Sequence, residues 1–180
     1  MFSIRSLAVL LGVISTVAVT APARAQDDIT KHLASNPNVG SWQIYGAQQT
    51  NKKIKDPAVQ GGTAIEASAS GVGESYASAA QVEVTQKIMK GDHIVCAVWL
   101  KAKTPATATL HGRLQINSAP YTAVMEKDFD ITDQWQLMTV EGDADQDYDK
   151  GKLVFAVHLN GAKQTVDLGP AFVLNMTRTY

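Results

Sequence analysis

His111, Arg113, Gln115 and Asn117 occupy every second position of the run H-G-R-L-Q-I-N. Their side chains are flat hydrogen-bonding groups, and together they offer paired donors and acceptors that match vicinal hydroxyls. Tyr121 follows Pro120 shortly after, a flat apolar ring with a polar tip, suited to the apolar face of a sugar. The chemistry on offer is recognition of a hydroxyl-rich ligand. The same residues also describe a solvated sheet face with a tyrosine packed over a turn, and periodicity alone leaves both readings open.

The elements that must position these residues are strands. In residues 107–116, Leu110, Leu114 and Ile116 alternate with the polar set, which gives one apolar and one polar face. Residues 153–160 repeat the pattern: Leu153, Phe155, Val157 and Leu159 face one way, and Val154, Ala156, His158 and Asn160 the other. Further strands are expected at 42–47, 63–68, 79–84, 94–100, 134–141 and 164–175, and a bulge at Gly169-Pro170. Residues 48–57, rich in Lys and Gln, read as a polar loop. Eight or nine short strands at turn spacings of about ten residues, with almost no amphipathic helix, predict an all-β, two-sheet antiparallel β-sandwich.

Three tryptophans bear on the polar face. Trp42 and Tyr45 share the first strand, so one is expected to line a cleft and the other to pack in the core. Trp99 has the parity of His93, Ala97 and Lys101, opposite Ile94, Cys96, Val98 and Leu100, which places it in the cleft or under a loop. Trp135 reads as core.

The chain of 180 residues opens with a basic stretch at Arg5, an apolar run of about fifteen residues and the sequence A-P-A-R-A ending at Ala25. That is a cleavable bacterial signal peptide over residues 1–25, since a spanning helix needs about 20 apolar residues. Residues 26–180 are then one domain, secreted or periplasmic, with no membrane association after cleavage. Removing Arg5 and Arg24 from 16 basic residues against 17 acidic ones leaves an acidic mature chain, which argues against nucleic acid as a partner. Cys96 is the single cysteine, in an apolar run, so no internal disulfide forms and a buried small side chain is expected.

No catalytic set emerges. Glu66, Glu83, Glu126 and Glu141 are scattered and form no carboxylate motif, and G-x-S-x-G and H-E-x-x-H are absent. His111 and His158 have no third partner to complete a metal site. The run Asp143, Asp145, Asp147, Asp149 fails the EF-hand pattern at Tyr148 and Val154 and reads as a solvated acidic hairpin.

The order of motifs carries a resemblance. A Trp-bearing first strand and a G-G-x-A-I strand precede K-G-D-H-I-V-C-A-V-W-L-K-A (90–102), A-P-Y (119–121), F-D-I-T-D-Q-W-Q (129–136), G-K-L-V-F-A-V-H-L (151–159) and T-V-D-L-G-P-A-F-V-L (165–174). The series resembles the carbohydrate-binding modules of families four, nine and twenty-two, the CenC type, over nearly the whole mature chain. The resemblance implies a galactose-binding-like jelly roll with a concave cleft that holds a β-glucan or xylan-type chain. It implies cleft roles for His111, Arg113, Gln115, Asn117, Tyr121 and His158; strand position and parity add Trp99 and Trp42 as candidate stacking residues. It also implies a non-catalytic protein whose partners are a polysaccharide or oligosaccharide and a separate glycoside hydrolase. The family often places an Asp for structural calcium in its last strand; here that stretch reads L-G-P-A-F, so no cofactor is expected, with a structural calcium as the alternative. Two other readings stand beside this one: an envelope interaction domain that keeps the sandwich and lacks sugar binding, and a small glycoside hydrolase or lyase.

Overall fold

A computed structural model describes residues 29–180, so the expected signal peptide lies outside the described residues. Ten strands form two antiparallel sheets: β1 (Gln43–Tyr45), β2 (Gln49–Lys55), β3 (Thr63–Ser70), β4 (Ala79–Glu83), β5 (His93–Thr104), β6 (Thr107–Ile116), β7 (Ala123–Thr132), β8 (Gln136–Asp143), β9 (Leu153–His158) and β10 (Lys163–Asn175). The first sheet has the order β1-β4-β9-β6-β7 and the second β2-β3-β10-β5-β8. The chain changes sheet at every connection except β2–β3 and β6–β7, the connectivity of a jelly roll. Among the described residues no helix is long and apolar enough to cross a membrane.

Alternation builds the core. Ile94, Cys96, Val98 and Leu100 of β5 are fully buried and meet Leu110, Leu114, Phe155 and Val157 from the opposite sheet. Cys96 lies in this core, and burial pushes its thiol far above the usual range. Gly112 sits on the inward face of β6, where a Cβ would lie 2.1 Å from the Phe129 ring; the missing side chain is what lets that ring fill the space. The expected irregularity at Gly169-Pro170 is present as a register shift between Leu168 and Ala171 of β10 against β5.

Three expectations need correction. Residues 49–55 are an edge strand, paired to β3 from Gln49–Ala69 to Lys55–Thr63. Its lysines mask the strand signal and also suit an edge, because charged side chains discourage pairing with another chain. Trp135 is half-buried; its indole N–H donates to Asp56 at 3.0 Å and Lys101 lies over its ring at 4.7 Å. The third correction concerns Trp42 and Trp99 and belongs with the site.

The acidic segment after β8 is tied down locally. Tyr148 donates to Asp145, the Lys90 backbone N–H donates to Asp147 at 2.8 Å, and Ile88 pairs with Tyr148. Near the end of the second sheet, Asp56 and Asp167 converge on the Lys101 ammonium at 2.7 and 3.0 Å. That hydrogen bond, joined by the Ala58 N–H and the Trp135 indole, holds the Asp56 carboxyl down at about 2. The Lys101 ammonium already occupies the place between these two carboxylates that a divalent ion would need.

Candidate functional site

Strand register lays the site out in rows across the first sheet. One row runs Tyr45, Ala79, His158, His111, Asp128; the next runs Gln43, Gln81, Ala156, Arg113, Glu126. Ala79 and Ala156 put small side chains in the middle of the sheet, and larger groups stand on both sides of them. Over these rows and toward the β6–β7 turn lies a groove of about 860 Å³, within the usual range for ligand sites. Its lining includes Tyr45, Tyr76, Gln81, Arg113, Gln115 and Tyr121.

Three tyrosines border the groove with their rings in solvent: Tyr45, Tyr76 and Tyr121 are 41%, 58% and 52% exposed. Tyr45 comes from β1, and Tyr76 from the 3-10 turn Ser75–Ala77 before β4. Tyr121 sits in the β6–β7 turn after a cis Ala119-Pro120 bond, with a left-handed φ of 58°. Two hydrogen bonds hold this turn: the Tyr121 N–H donates to Ser118 O at 2.7 Å, and Arg113 Nη2 donates to Tyr121 O at 3.3 Å. Partial burial and the neighbouring Tyr121 raise the Tyr45 phenol above its ordinary range, so it remains a neutral donor and acceptor.

The polar wall is pre-arranged. His111 Nδ1 donates to Asp128 Oδ1 at 2.6 Å, and its Nε2 lies 3.3 Å from Glu126 Oε2. Arg113 Nε lies 3.6 Å from the same Glu126 oxygen and has no hydrogen-bond partner among the described residues. Gln115 is 4% exposed yet lines the groove, beside a register shift between Leu114 and Gln115. Asn117 Nδ2 donates to Gly151 O at 3.3 Å, at the groove's edge.

His158 is also 4% exposed. Its ring lies 5.7 Å from that of His111 and 6.1 Å, edge-on, from Tyr76. Burial, then the charges of Arg113 and His111, depress its pKa to about 4. It is therefore neutral at pH 7, with one ring nitrogen donating and one accepting. Among the described residues, no three His, Cys, Asp or Glu side chains converge in a way that could hold a metal ion.

Six of the eight expected residues come together here: His111, Arg113, Gln115, Asn117, Tyr121 and His158. The two tryptophans do not. Trp42 precedes β1 and is buried in the core, its indole N–H donating to Gly169 O at 2.8 Å. Trp99 lies on β5 of the second sheet, opposite Leu137, and its indole donates to Gln60 at 3.3 Å. Parity gives the face of a strand but not which sheet holds it, so Trp99 has the right parity on the wrong sheet. Sequence reasoning missed Gln81, Tyr76 and Glu126 as groove residues. Gln81 was legible as a polar residue alternating with Ala80 and Val82. Tyr76 lies outside any alternating run, and only the fold brings it over His158.

No protein-family profile and no curated protein matches the chain. Solved structures do. A family 4 carbohydrate-binding module superposes with a TM-score of 0.57 at 14% identity, over 74% of this chain and 85% of that one. A family 22 xylan-binding domain from Paenibacillus barcinonensis gives 0.58 at 15% identity, over 79% and 90%. An arabinose-bound α-L-arabinofuranosidase gives 0.59 at 16% identity over 80% of this chain, which spans only 25% of that enzyme. The described chain has the jelly-roll fold of the carbohydrate-binding modules of families 4 and 22.

Proposed function

We propose that this protein is a secreted or periplasmic carbohydrate-binding module that holds a polysaccharide or oligosaccharide chain across the first sheet. One observation carries this reading: a groove bordered by the exposed rings of Tyr45, Tyr76 and Tyr121 and lined by the polar groups of Gln81, Arg113, Gln115 and His158. Sugars present apolar CH faces and equatorial hydroxyls, and the groove supplies rings for the first and donors and acceptors for the second. Likeness of fold to a xylan-binding domain favours a β-linked glucan or xylan-type chain as the ligand.

The role is non-catalytic. The rim carboxylates Glu126 and Asp128 stand side by side on β7 and do not flank the groove as the two carboxylates of a glycoside hydrolase would. Secretion rests on the basic, apolar and small-residue segments of residues 1–25. A binding module without its own chemistry would serve a separate glycoside hydrolase by keeping substrate chains close.

Affinity electrophoresis against soluble β-glucans, xylans and mannans tests the reading. Retardation by at least one of them, lost in Tyr121→Ala with Gln115→Ala, is expected. No retardation on any would overturn it in favour of a scaffold that lacks a sugar site, and release of reducing sugar would point to a hydrolase.

A further inference from the structure

The groove does not end at the row of His111 and His158. One step further along the strands lies a second depression of about 740 Å³; both histidines line it, and His158 also lines the groove. Its walls come from the far end of β6 and β7, the turn at Ser75 and the β9–β10 loop at Gly161 and Ala162. Thr109 and Asp130 pair across β6 and β7 there, with the Thr109 hydroxyl donating to Asp130 Oδ1 at 2.7 Å.

The direction of this extension matters. The proposed chain lies across the strands, over the rows that run from Tyr45 to Asp128 and from Gln43 to Glu126. The second depression is displaced along the strands, from His111 to Thr109. Two residues of strand span about 7 Å, roughly the width of one sugar ring. A substituent on the sugar seated over the histidine pair would project into this space, whereas the next unit of the main chain would not.

The lining also decides what kind of substituent fits. Thr107, Thr109 and Ser75 offer hydroxyls, while Pro105, Ile131 and Ala162 offer apolar surface. Asp128 and Asp130 put two carboxylates on the wall, and it contains no Lys or Arg. Asp128 is paired with His111, but among the described residues Asp130 accepts only from the Thr109 hydroxyl, so an acidic substituent would meet that carboxylate with no Lys or Arg beside it, at a free-energy cost.

We propose that the second depression is a side-branch subsite for a single neutral sugar carried on the bound chain, and that it discriminates against uronic acid branches. This inference rests on the preceding functional reading. His158, which lines both depressions, is the junction at which main chain and branch separate.

Isothermal titration with three xylan oligosaccharides of equal backbone length tests it: linear, arabinose-branched and glucuronate-branched. The arabinose-branched form is expected to bind about ten-fold more tightly than the linear one, and the glucuronate-branched form no more tightly than the linear. Thr109→Trp fills the depression and should abolish the preference while leaving the linear oligosaccharide's affinity unchanged. If Thr109→Trp does not fold, Ala162→Phe on the exposed loop blocks the same space. Asp130→Asn should improve the glucuronate-branched ligand relative to the linear one. Equal affinity for linear and arabinose-branched forms, or a preference that survives Thr109→Trp or Ala162→Phe, overturns the subsite and leaves the main groove intact. Failure of all three ligands to bind, together with silence across glucans and mannans, overturns the functional reading and this inference with it.

Discussion

His111 and His158 stand directly opposite each other across the β6–β9 ladder, their rings 5.7 Å apart, yet their surroundings differ sharply. His111 is bracketed by Asp128 and Glu126 at the rim, and His158 is buried beneath it with only a long contact of 3.4 Å to the Ser75 hydroxyl. One is a fixed polar wall, and the other is a neutral group whose protonation the fold opposes.

That opposition predicts a pH dependence of stability. The folded pKa of His158 is about 4, below its ordinary 6.5. As pH falls through 6.5 the unfolded chain takes up a proton that the folded protein does not, so stability declines until the folded form protonates near pH 4. The loss is at most about 3 kcal/mol, and above pH 7 it vanishes. Asp56, with its pKa near 2, acts only below this window, because its contribution is lost as pH falls from its ordinary range toward 2. Thermal melting at pH 7 and pH 4.5 should show a drop in Tm that His158→Gln markedly reduces; an unchanged drop would refute the assignment.

Tyr121 combines an exposed ring with a left-handed backbone, an arrangement that costs a side-chain-bearing residue about 1 kcal/mol. Tyr121→Gly relieves this strain while the flexibility of glycine in the unfolded chain costs a similar amount. Tm is therefore expected to change little while glycan affinity falls about ten-fold through loss of the ring. Titration beside differential scanning calorimetry separates the two effects.

Lys101 neutralises Asp167, which is 1% exposed, and also Asp56. Lys101→Met would leave a buried carboxylate without its cation, at a cost of about 3 kcal/mol or more. Urea unfolding should show it, and Lys101→Met combined with Asp167→Asn should recover part of the loss.

Gly112 faces the Phe129 ring with no room for a methyl group. Gly112→Ala is expected to destabilise by about 1–3 kcal/mol, and adding Phe129→Leu should give less than the sum of the two single losses. Additive losses in a double-mutant cycle would show that the two positions do not share this space.

Much of the site was legible because its residues share one strand. The alternation from His111 to Gln115 is a local property that survives whatever the partners are, and the structure keeps all its polar members on one side. The tryptophans show where such reading stops. Trp42 lies just before β1 rather than on it, and its indole is fixed in the core by the carbonyl of Gly169, more than a hundred residues away in sequence. For Trp99, parity was correct and sheet membership was not.

The sequence by itself determined that this is a β-sandwich with a polar, amide-rich and imidazole-rich strand face, because side-chain alternation and turn residues act over a few neighbouring positions. Tertiary structure alone decided that the face is a groove. Its polar lining depends on Gln81, Arg113 and His158 falling in neighbouring register rows on three strands, and the aromatic border on Tyr45 and Tyr76 arriving from distant segments. It also decided that His158 is buried and neutral while His111, of the same type and on the same sheet, is held between two carboxylates. These outcomes depend on long-range register and desolvation, which no local pattern encodes.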